Sequence, residues 1–231
     1  RVLHKHTNTN EFHLGATAKL PKNTSEISGF RMNKVLFYSS DLEDSLLSDK
    51  ASLDTFKELT DTSNGYRTKY IDNKYNFKTP QYWIVTTGNP EKEFLCRMTT
   101  DVEVIKSIDS FIKSDDMSFY SIDYSWQKGT HYKNGQFNPD WFIKQGNNIT
   151  AVEVKDDAQI SDPDAENIGK NRAAIKHFNF INEKHESDGN LTRYKFTFLT
   201  PKDFDIFFKK LSEKDIMNFK SKLDVKLADS K

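Results

Sequence analysis

Residues 138–157 combine the pattern of a β-hairpin with a dense set of charged side chains. Two short runs rich in apolar residues flank a turn at positions 145–148. With that turn, Lys144 pairs with Ile149 across an antiparallel ladder, and the other pairs follow by counting outward. The segment constrains the fold more than any other, because it fixes which side chains share one face of a sheet.

The counted register places Asp140 opposite Glu153. Opposed residues on antiparallel strands have Cβ atoms roughly 4.5–5.5 Å apart. Lys155 lies two residues beyond Glu153 and therefore points to the same face. Two carboxylates and one ammonium near a strand end are suited to binding a divalent metal and activating a water molecule.

The apolar residues of the hairpin alternate with the two acids and are predicted to lie in the core. Burying them would fix the register and aim the acids outward. The alternative is an ordinary hairpin whose exposed charge pair contributes little free energy. The predicted core residues are Trp141, Ile143, Val152 and Val154.

Composition narrows the class of protein. The 231 residues include 34 basic and 34 acidic side chains, so any phosphate-binding surface must be local. No stretch approaches the ~20 apolar residues needed to cross a bilayer. The single cysteine, Cys96, excludes an internal disulfide and is compatible with a reducing cytoplasm, where we expect the protein to reside.

The chain divides into two predicted regions with a boundary near residue 88. Residues 1–88 are rich in β-branched and aromatic runs and form a β-rich extension interrupted by a helix at 53–59. Residues 89–231 are predicted to form an α+β domain, a central mixed sheet covered by helices. Its elements are one long or two short helices from Glu91 through Ile112, strands at 117–126, 137–144 and 149–155, a helix at 166–183, a strand at 194–199 and a helix at 202–211.

Four strings in this second region carry a family resemblance. They are Asn89-Pro-Glu-Lys-Glu-Phe, Phe137-Asn-Pro-Asp-Trp, Ala173-Ala-Ile-Lys-His-Phe and Phe196-Thr-Phe-Leu-Thr-Pro-Lys-Asp-Phe. Together with Pro139-Asp140 and Glu153-Val154-Lys155, they resemble the PD-(D/E)xK nucleases, the restriction-endonuclease-like superfamily. The resemblance is strongest to the C-terminal nuclease region of type III restriction subunits and related helicase–nucleases, and it covers roughly residues 89–227.

The resemblance implies a Mg²⁺-dependent DNA endonuclease, with Mn²⁺ able to substitute. Asp140 and Glu153 would be metal ligands and Lys155 the catalytic lysine. An acidic residue of the first helix often completes the metal site in that superfamily. Glu91 lies on the inward stripe of the predicted helix and is ranked first, whereas Glu93 is turned away.

Partners also follow from the resemblance. Lys170, Arg172 and Lys176 follow the site on a predicted helix and would contact DNA, the alternative being a solvated helix face. Such restriction subunits work with a helicase motor and a methylation subunit, in the same longer polypeptide or in trans. No phosphate-binding Gly-x-x-x-x-Gly-Lys-Ser/Thr loop occurs here, so this chain is assigned the cutting role.

A second hypothesis is a catalytically inactive module of the same fold, used for DNA binding or subunit assembly. The neutral charge and the unassigned first 88 residues motivate it. It predicts salt-sensitive DNA binding without metal-dependent hydrolysis.

Overall fold

The computed structural model describes residues 4–5, 12–13, 35–37, 68–71, 78–79, 81–86, 88–114 and 120–229. Its strands are β1 (His4–Lys5), β2 (Phe12–His13), β3 (Val35–Phe37), β4 (Thr68–Tyr70), β5 (Gln81–Val85), β6 (Ser110–Lys113), β7 (Ile122–Lys128), β8 (His131–Phe137), β9 (Trp141–Gln145), β10 (Asn148–Val154) and β11 (Arg193–Leu199). Its α helices are α1 (Asn89–Thr100), α2 (Val102–Ser107), α3 (Ala158–Ser161), α4 (Ala165–Ser187), α5 (Phe204–Ser212) and α6 (Lys222–Asp229). Short 3₁₀ turns at Pro201–Asp203 and Ile216–Asn218 precede and follow α5.

A mixed sheet of four strands in the order β11-β10-β9-β6 forms the centre of the fold. β10 runs parallel to β11, while β9 is antiparallel to both β10 and β6. The predicted hairpin register is confirmed, because Ile149 pairs with Lys144 and Val152 pairs with Trp141. Helices flank this sheet, so the expected α+β class with a central mixed sheet is confirmed as well.

One face of the sheet packs against α1 and α5. The Phe94 ring of α1 lies 5.4 Å from Trp141 of β9 and 5.2 Å from Phe208 of α5, between centroids. Fully burying a large apolar side chain stabilises a fold by ~1.5–3 kcal/mol, so this layer is the main core. The four predicted core residues of the hairpin are confirmed here: Trp141, Ile143, Val152 and Val154 are all buried.

The other face packs against α4 and against a separate two-stranded ribbon formed by β7 and β8. α4 crosses the ribbon where it carries Gly169. A Cβ at that position would lie 2.6 Å from the carbonyl oxygen of Ser125 and 3.1 Å from Cβ of Trp126. Glycine is therefore required for this close approach of helix to strand.

Gly169→Ala should destabilise the protein by about 1–3 kcal/mol, because the ribbon must move away from α4 to admit one methyl group. Urea unfolding followed by circular dichroism measures the change. Glu186→Ala, at an exposed position of the same helix, should change the free energy of unfolding by less than about 0.5 kcal/mol. Equal midpoints for the two variants would contradict the close packing.

The N-terminal strands β3, β5 and β4 form an antiparallel sheet of three strands in that order. Ile71 and Ile84 lie in the same buried cluster as α1 and α5. Residues on both sides of position 88 thus share one core, and the division into 1–88 and 89–231 stays a prediction. The helix predicted at 53–59 lies outside the described residues.

Two expected boundaries were wrong. Phe111 and Ile112 belong to strand β6 and not to a helix, since a short apolar run has no periodicity that separates a buried strand from a helical turn. Of the two predicted alternatives, one long helix or two short ones, the preceding segment forms two helices, and the Asp101 side chain caps the second by accepting hydrogen bonds from its first residues. The strand expected to begin at Phe137 is split: Phe137 ends β8, and β9 begins at Trp141.

Candidate active site

Asp140 and Glu153 meet at the end of the central hairpin. The β9–β10 ladder ends at the pair Trp141–Val152, so the next two positions outward are the two acids. Asp140 Oδ2 accepts a hydrogen bond from the backbone N–H of Val154 at 2.7 Å, which ties its carboxylate to β10. The predicted juxtaposition of the two carboxylates is therefore confirmed.

Lys155 lies on the same side of the sheet as Glu153. Its Nζ is 2.8 Å from Glu153 Oε1, and its backbone N–H donates to the carbonyl of Leu199 on β11. The Glu153 side chain is 7% exposed, whereas that of Lys155 is 25% exposed. The lysine thus connects a buried carboxylate with the protein surface.

A second lysine, Lys113 at the end of β6, lies within this group of charges. Its Nζ is 2.9 Å from Glu91 Oε2 and 3.9 Å from Asp140 Oδ1. The same ammonium lies 4.8 Å from the centre of the Trp141 ring, within cation–π range. We call Glu91, Lys113, Asp140, Glu153 and Lys155 the charged cluster.

The side chain of Gln81 fixes the backbone of Lys113. Its amide nitrogen donates to the carbonyl of Lys113, and its amide oxygen accepts from the N–H of Lys113, both at 2.7 Å. Gln81 is fully buried, so both bonds are shielded from water. The Gln81 side chain thus bonds to the edge strand β6 as the backbone of a neighbouring strand would, and it holds Lys113 in place.

Burial and mutual charge shift the acid–base properties of the cluster. Burial, followed by the nearby Glu153 charge, raises the pKa of Asp140 from its ordinary value to about 7. Burial lowers the pKa of Lys113, but the carboxylates of Asp140 and Glu91 outweigh it and leave that pKa raised. Burial also lowers the pKa of Lys155, but the carboxylates of Glu153 and Asp140 outweigh this effect and leave the pKa raised. Both lysines are thus held in the charged form.

The sequence led us to expect that the two acids point outward, and this expectation was wrong. Glu153 is buried because its side of the sheet is covered by the layer that holds α4 and the ribbon. The alternative of an exposed charge pair is also wrong for this hairpin, because Glu153 is buried and Asp140 and Lys155 are only partly exposed. Burying charges costs free energy, and buried charged groups with shifted pKa values are concentrated at functional sites, so this cluster is a candidate functional site.

The chemistry of the cluster is compatible with a hard divalent cation. Glu153 Oε2 is buried and has no hydrogen-bond partner among the described residues. An ionised carboxylate oxygen left in this state needs a cation or a water molecule. Asp140 lies opposite, and two carboxylates suffice for Mg²⁺, which keeps several of its waters.

Glu91 differs from Asp140 and Glu153 in that a buried lysine already occupies one of its carboxylate oxygens. It is buried on α1, on the inward stripe as predicted, but Lys113 engages its Oε2. In the described part of the chain, no three Asp, Glu, His or Cys side chains are gathered in a ready-made metal site. Glu93 is exposed on the other side of the helix.

The rim of the cluster is built by the ribbon and the start of α4. The Tyr124 hydroxyl donates to Glu166 Oε1 at 2.7 Å, and Lys170 Nζ lies 2.9 Å from the same oxygen. Hydrogen bonds from Tyr124 and Lys170 lower the pKa of Glu166. Lys170, predicted to contact DNA, is thus paired with Glu166 and mostly covered.

Arg172 and Lys176, the other two predicted DNA contacts, are exposed one turn apart on α4. They line a groove of about 930 Å³ between α4 and α6, together with Ile175 and Phe180. No residue of the charged cluster lines that groove. The three residues predicted to contact DNA therefore lie in two different surroundings, and that contact stays a prediction.

Comparisons of the chain with models of protein families, with curated proteins and with solved structures found no match. The function of the charged cluster must therefore be inferred from its own geometry. No helix in the described ranges is both long enough and apolar enough to cross a membrane.

Lys113 and Tyr124 were not predicted from the sequence. Lys113 falls in a four-residue strand whose pattern resembled a helix end, and a lone lysine is ordinarily a solvated residue. Tyr124 lies two residues after the buried Ile122 and so on the same face of β7, which is the signal that could have placed it in the interior.

Proposed function

We propose that this chain is a metal-dependent DNA endonuclease domain of restriction-endonuclease-like fold, from a type III-like restriction or defence system. One observation carries the proposal: Asp140 and Glu153 directly follow the last pair of the β9–β10 ladder and interact electrostatically, with Lys155 Nζ 2.8 Å from Glu153 Oε1. The four family-like strings support the assignment to this branch of nucleases. A helicase motor and a methylation subunit, in the same polypeptide or in trans, belong to the same proposal.

Asp140 and Glu153 would hold the ion, Mg²⁺ or in its place Mn²⁺, with Glu91 as the third ligand predicted by the resemblance. Such an ion polarises the phosphate and supplies a nucleophilic water at neutral pH. The Val154 N–H fixes one oxygen of Asp140 and leaves Oδ1 for other contacts. Lys155, charged and partly exposed, is placed to steady negative charge that develops on a phosphate.

Cleavage of plasmid and linear duplex DNA tests the proposal. We expect cleavage with Mg²⁺ or Mn²⁺ and none with EDTA. Asp140→Ala and Lys155→Ala should each reduce the rate by at least about a hundredfold, a typical loss for a charge that stabilises a transition state. Lys144→Ala is the control, because Lys144 is an exposed lysine on the same hairpin. Cleavage that both site variants retain at the wild-type rate would refute the proposal.

The inactive DNA-binding or assembly module remains the second candidate, and Lys113 favours it. Its ammonium lies beside Glu91 and Asp140, where it supplies positive charge without a metal. Titration calorimetry with Mn²⁺ separates the two candidates. Specific Mn²⁺ binding that Asp140→Ala abolishes supports the nuclease, whereas salt-sensitive DNA binding without Mn²⁺ binding supports the module.

A further inference from the structure

The ribbon formed by β7 and β8 extends well beyond the layer that it covers. Its strands pair without interruption from Ile122–Phe137 at the base to Lys128–His131 at the tip. The base is buried against α4, whereas every residue from 127 through 134 is exposed. We call residues 127–134 the ribbon tip. At about 3.4 Å per residue, the six steps from Phe137 to His131 span about 20 Å.

The base of the ribbon is fixed next to the charged cluster. β8 ends at Phe137, three residues before Asp140. The Tyr124 hydroxyl is bound by Glu166, and the ring of Tyr124 stacks on Trp126 at 5.0 Å. Together with the close contact at Gly169, these bonds hold the tip in a set direction relative to Asp140 and Glu153.

The ribbon tip carries positive charge that no described acidic residue neutralises. Strand alternation places Lys128, His131 and Lys133 on one side of the ribbon, with Lys128 directly opposite His131. The tip contains no Asp or Glu. Neither lysine has an ion pair within the described part of the chain, unlike the exposed Lys184 and Lys209, whose acidic partners directly follow the ends of their helices.

The opposite side of the tip is polar as well. It presents Gln127, Tyr132 and Asn134, and Tyr132 is 80% exposed. Exposed lysines on one side of the ribbon and a large exposed aromatic side chain on the other form an arrangement suited to a polyanion. The major groove of duplex DNA, about 12 Å wide, admits a two-stranded ribbon, and Asn and Gln side chains can bind base edges there.

We propose that the ribbon tip is a duplex-DNA contact, with Lys128 and Lys133 on backbone phosphates and the tip entering the major groove. The proposal rests on the proposed function for its choice of partner. The tip lies about 20 Å from the base of the ribbon at Phe137, so this contact is separate from the charged cluster.

Fluorescence anisotropy in EDTA tests this contact without any cleavage, using the full chain and a labelled duplex of about 20 base pairs at several salt concentrations. The test variant is Lys128→Ala/Lys133→Ala. The control is Lys184→Ala/Lys209→Ala, which removes two exposed lysines elsewhere. Each phosphate contact contributes about 0.9 to the slope of log K against log salt, so the test variant should lose about 1.8. Its affinity at about 0.1 M salt should fall at least about tenfold, while the control stays within about twofold.

Each outcome decides something. Wild-type binding that the tip variant retains at the level of the control would overturn the contact but leave the proposed nuclease standing. No binding by the wild type would also overturn the contact, whereas the proposed nuclease stands or falls by the cleavage assay with Mg²⁺ or Mn²⁺. Tyr132→Ala adds an arm with a single strand of the same sequence. A loss for the single strand with unchanged duplex affinity would overturn the duplex assignment, because exposed aromatics stack on unpaired bases.

Discussion

Lys113→Met should lower the free energy of unfolding by about 3–5 kcal/mol, the usual result of removing one member of a buried ion pair. The side chain of Lys113 is 1% exposed and serves Glu91 and Asp140 at 2.9 and 3.9 Å. Methionine fills a similar volume but leaves both carboxylates without this cation. The loss therefore reflects the uncompensated acids more than the missing lysine.

Urea unfolding at constant pH measures this change, with two companion variants. Lys106→Met is the matched control, since Lys106 and Glu103 form a mostly exposed pair worth less than about 1 kcal/mol. Glu91→Gln/Lys113→Met should recover most of the stability, because a neutral pair leaves less charge unmatched. If Lys113→Met loses no more than Lys106→Met, the buried pair is not a structural feature of the fold.

The central hairpin could be predicted from the sequence because its turn leaves little freedom. Once Lys144 pairs with Ile149, the period of two in a strand fixes every later pair, and Asp140 must face Glu153. The same alternation predicted which side chains enter the core. What it could not give is the depth of the acids, since Glu153 is buried by elements distant in the chain.

The remainder of the cluster depends on long-range packing that local patterns do not encode. Lys113 is held by Gln81, which lies 32 positions earlier in the chain, through two hydrogen bonds to its backbone. Its partner Glu91 was predicted to face inward from helix periodicity, but not to pair with a lysine. Only one strand of the ribbon was predicted from the sequence, the one expected at 117–126. Its partner β8 was missed because it carries few apolar residues.

The two lysines neutralise acidic residues of the cluster from opposite faces of the sheet. Lys113 shares its face with Trp141 and the main core, whereas Lys155 shares its face with Glu153. Asp140 lies between them at the strand end, hydrogen-bonded to the backbone of Val154. Two ammoniums beside three carboxylates leave a net negative charge when all five groups are ionised, which is the condition that favours binding a cation.

Asp140→Asn should make the metal-free protein more stable at alkaline pH and leave it unchanged in acid. Burial raises the pKa of Asp140 to about 7 in the folded protein. Between its ordinary value near 4 and 7, the folded state holds a proton that the unfolded state has released, so stability falls as pH rises. Asparagine has no charge to bury. The variant should therefore gain about 2–4 kcal/mol over the wild type above about pH 7 and almost nothing near pH 4.

Urea unfolding in EDTA at about pH 4 and about pH 8 measures this gain. Asp123→Asn, an exposed aspartate on β7, is the control and should show no such dependence on pH. Thermal unfolding with Mn²⁺ tests metal binding at Asp140. The ion should stabilise the wild type and not Asp140→Asn, since a ligand that binds the native state raises its stability. An aspartate that weakens the fold yet confers metal binding would be retained for function. A variant less stable than the wild type at alkaline pH would instead assign Asp140 a structural role.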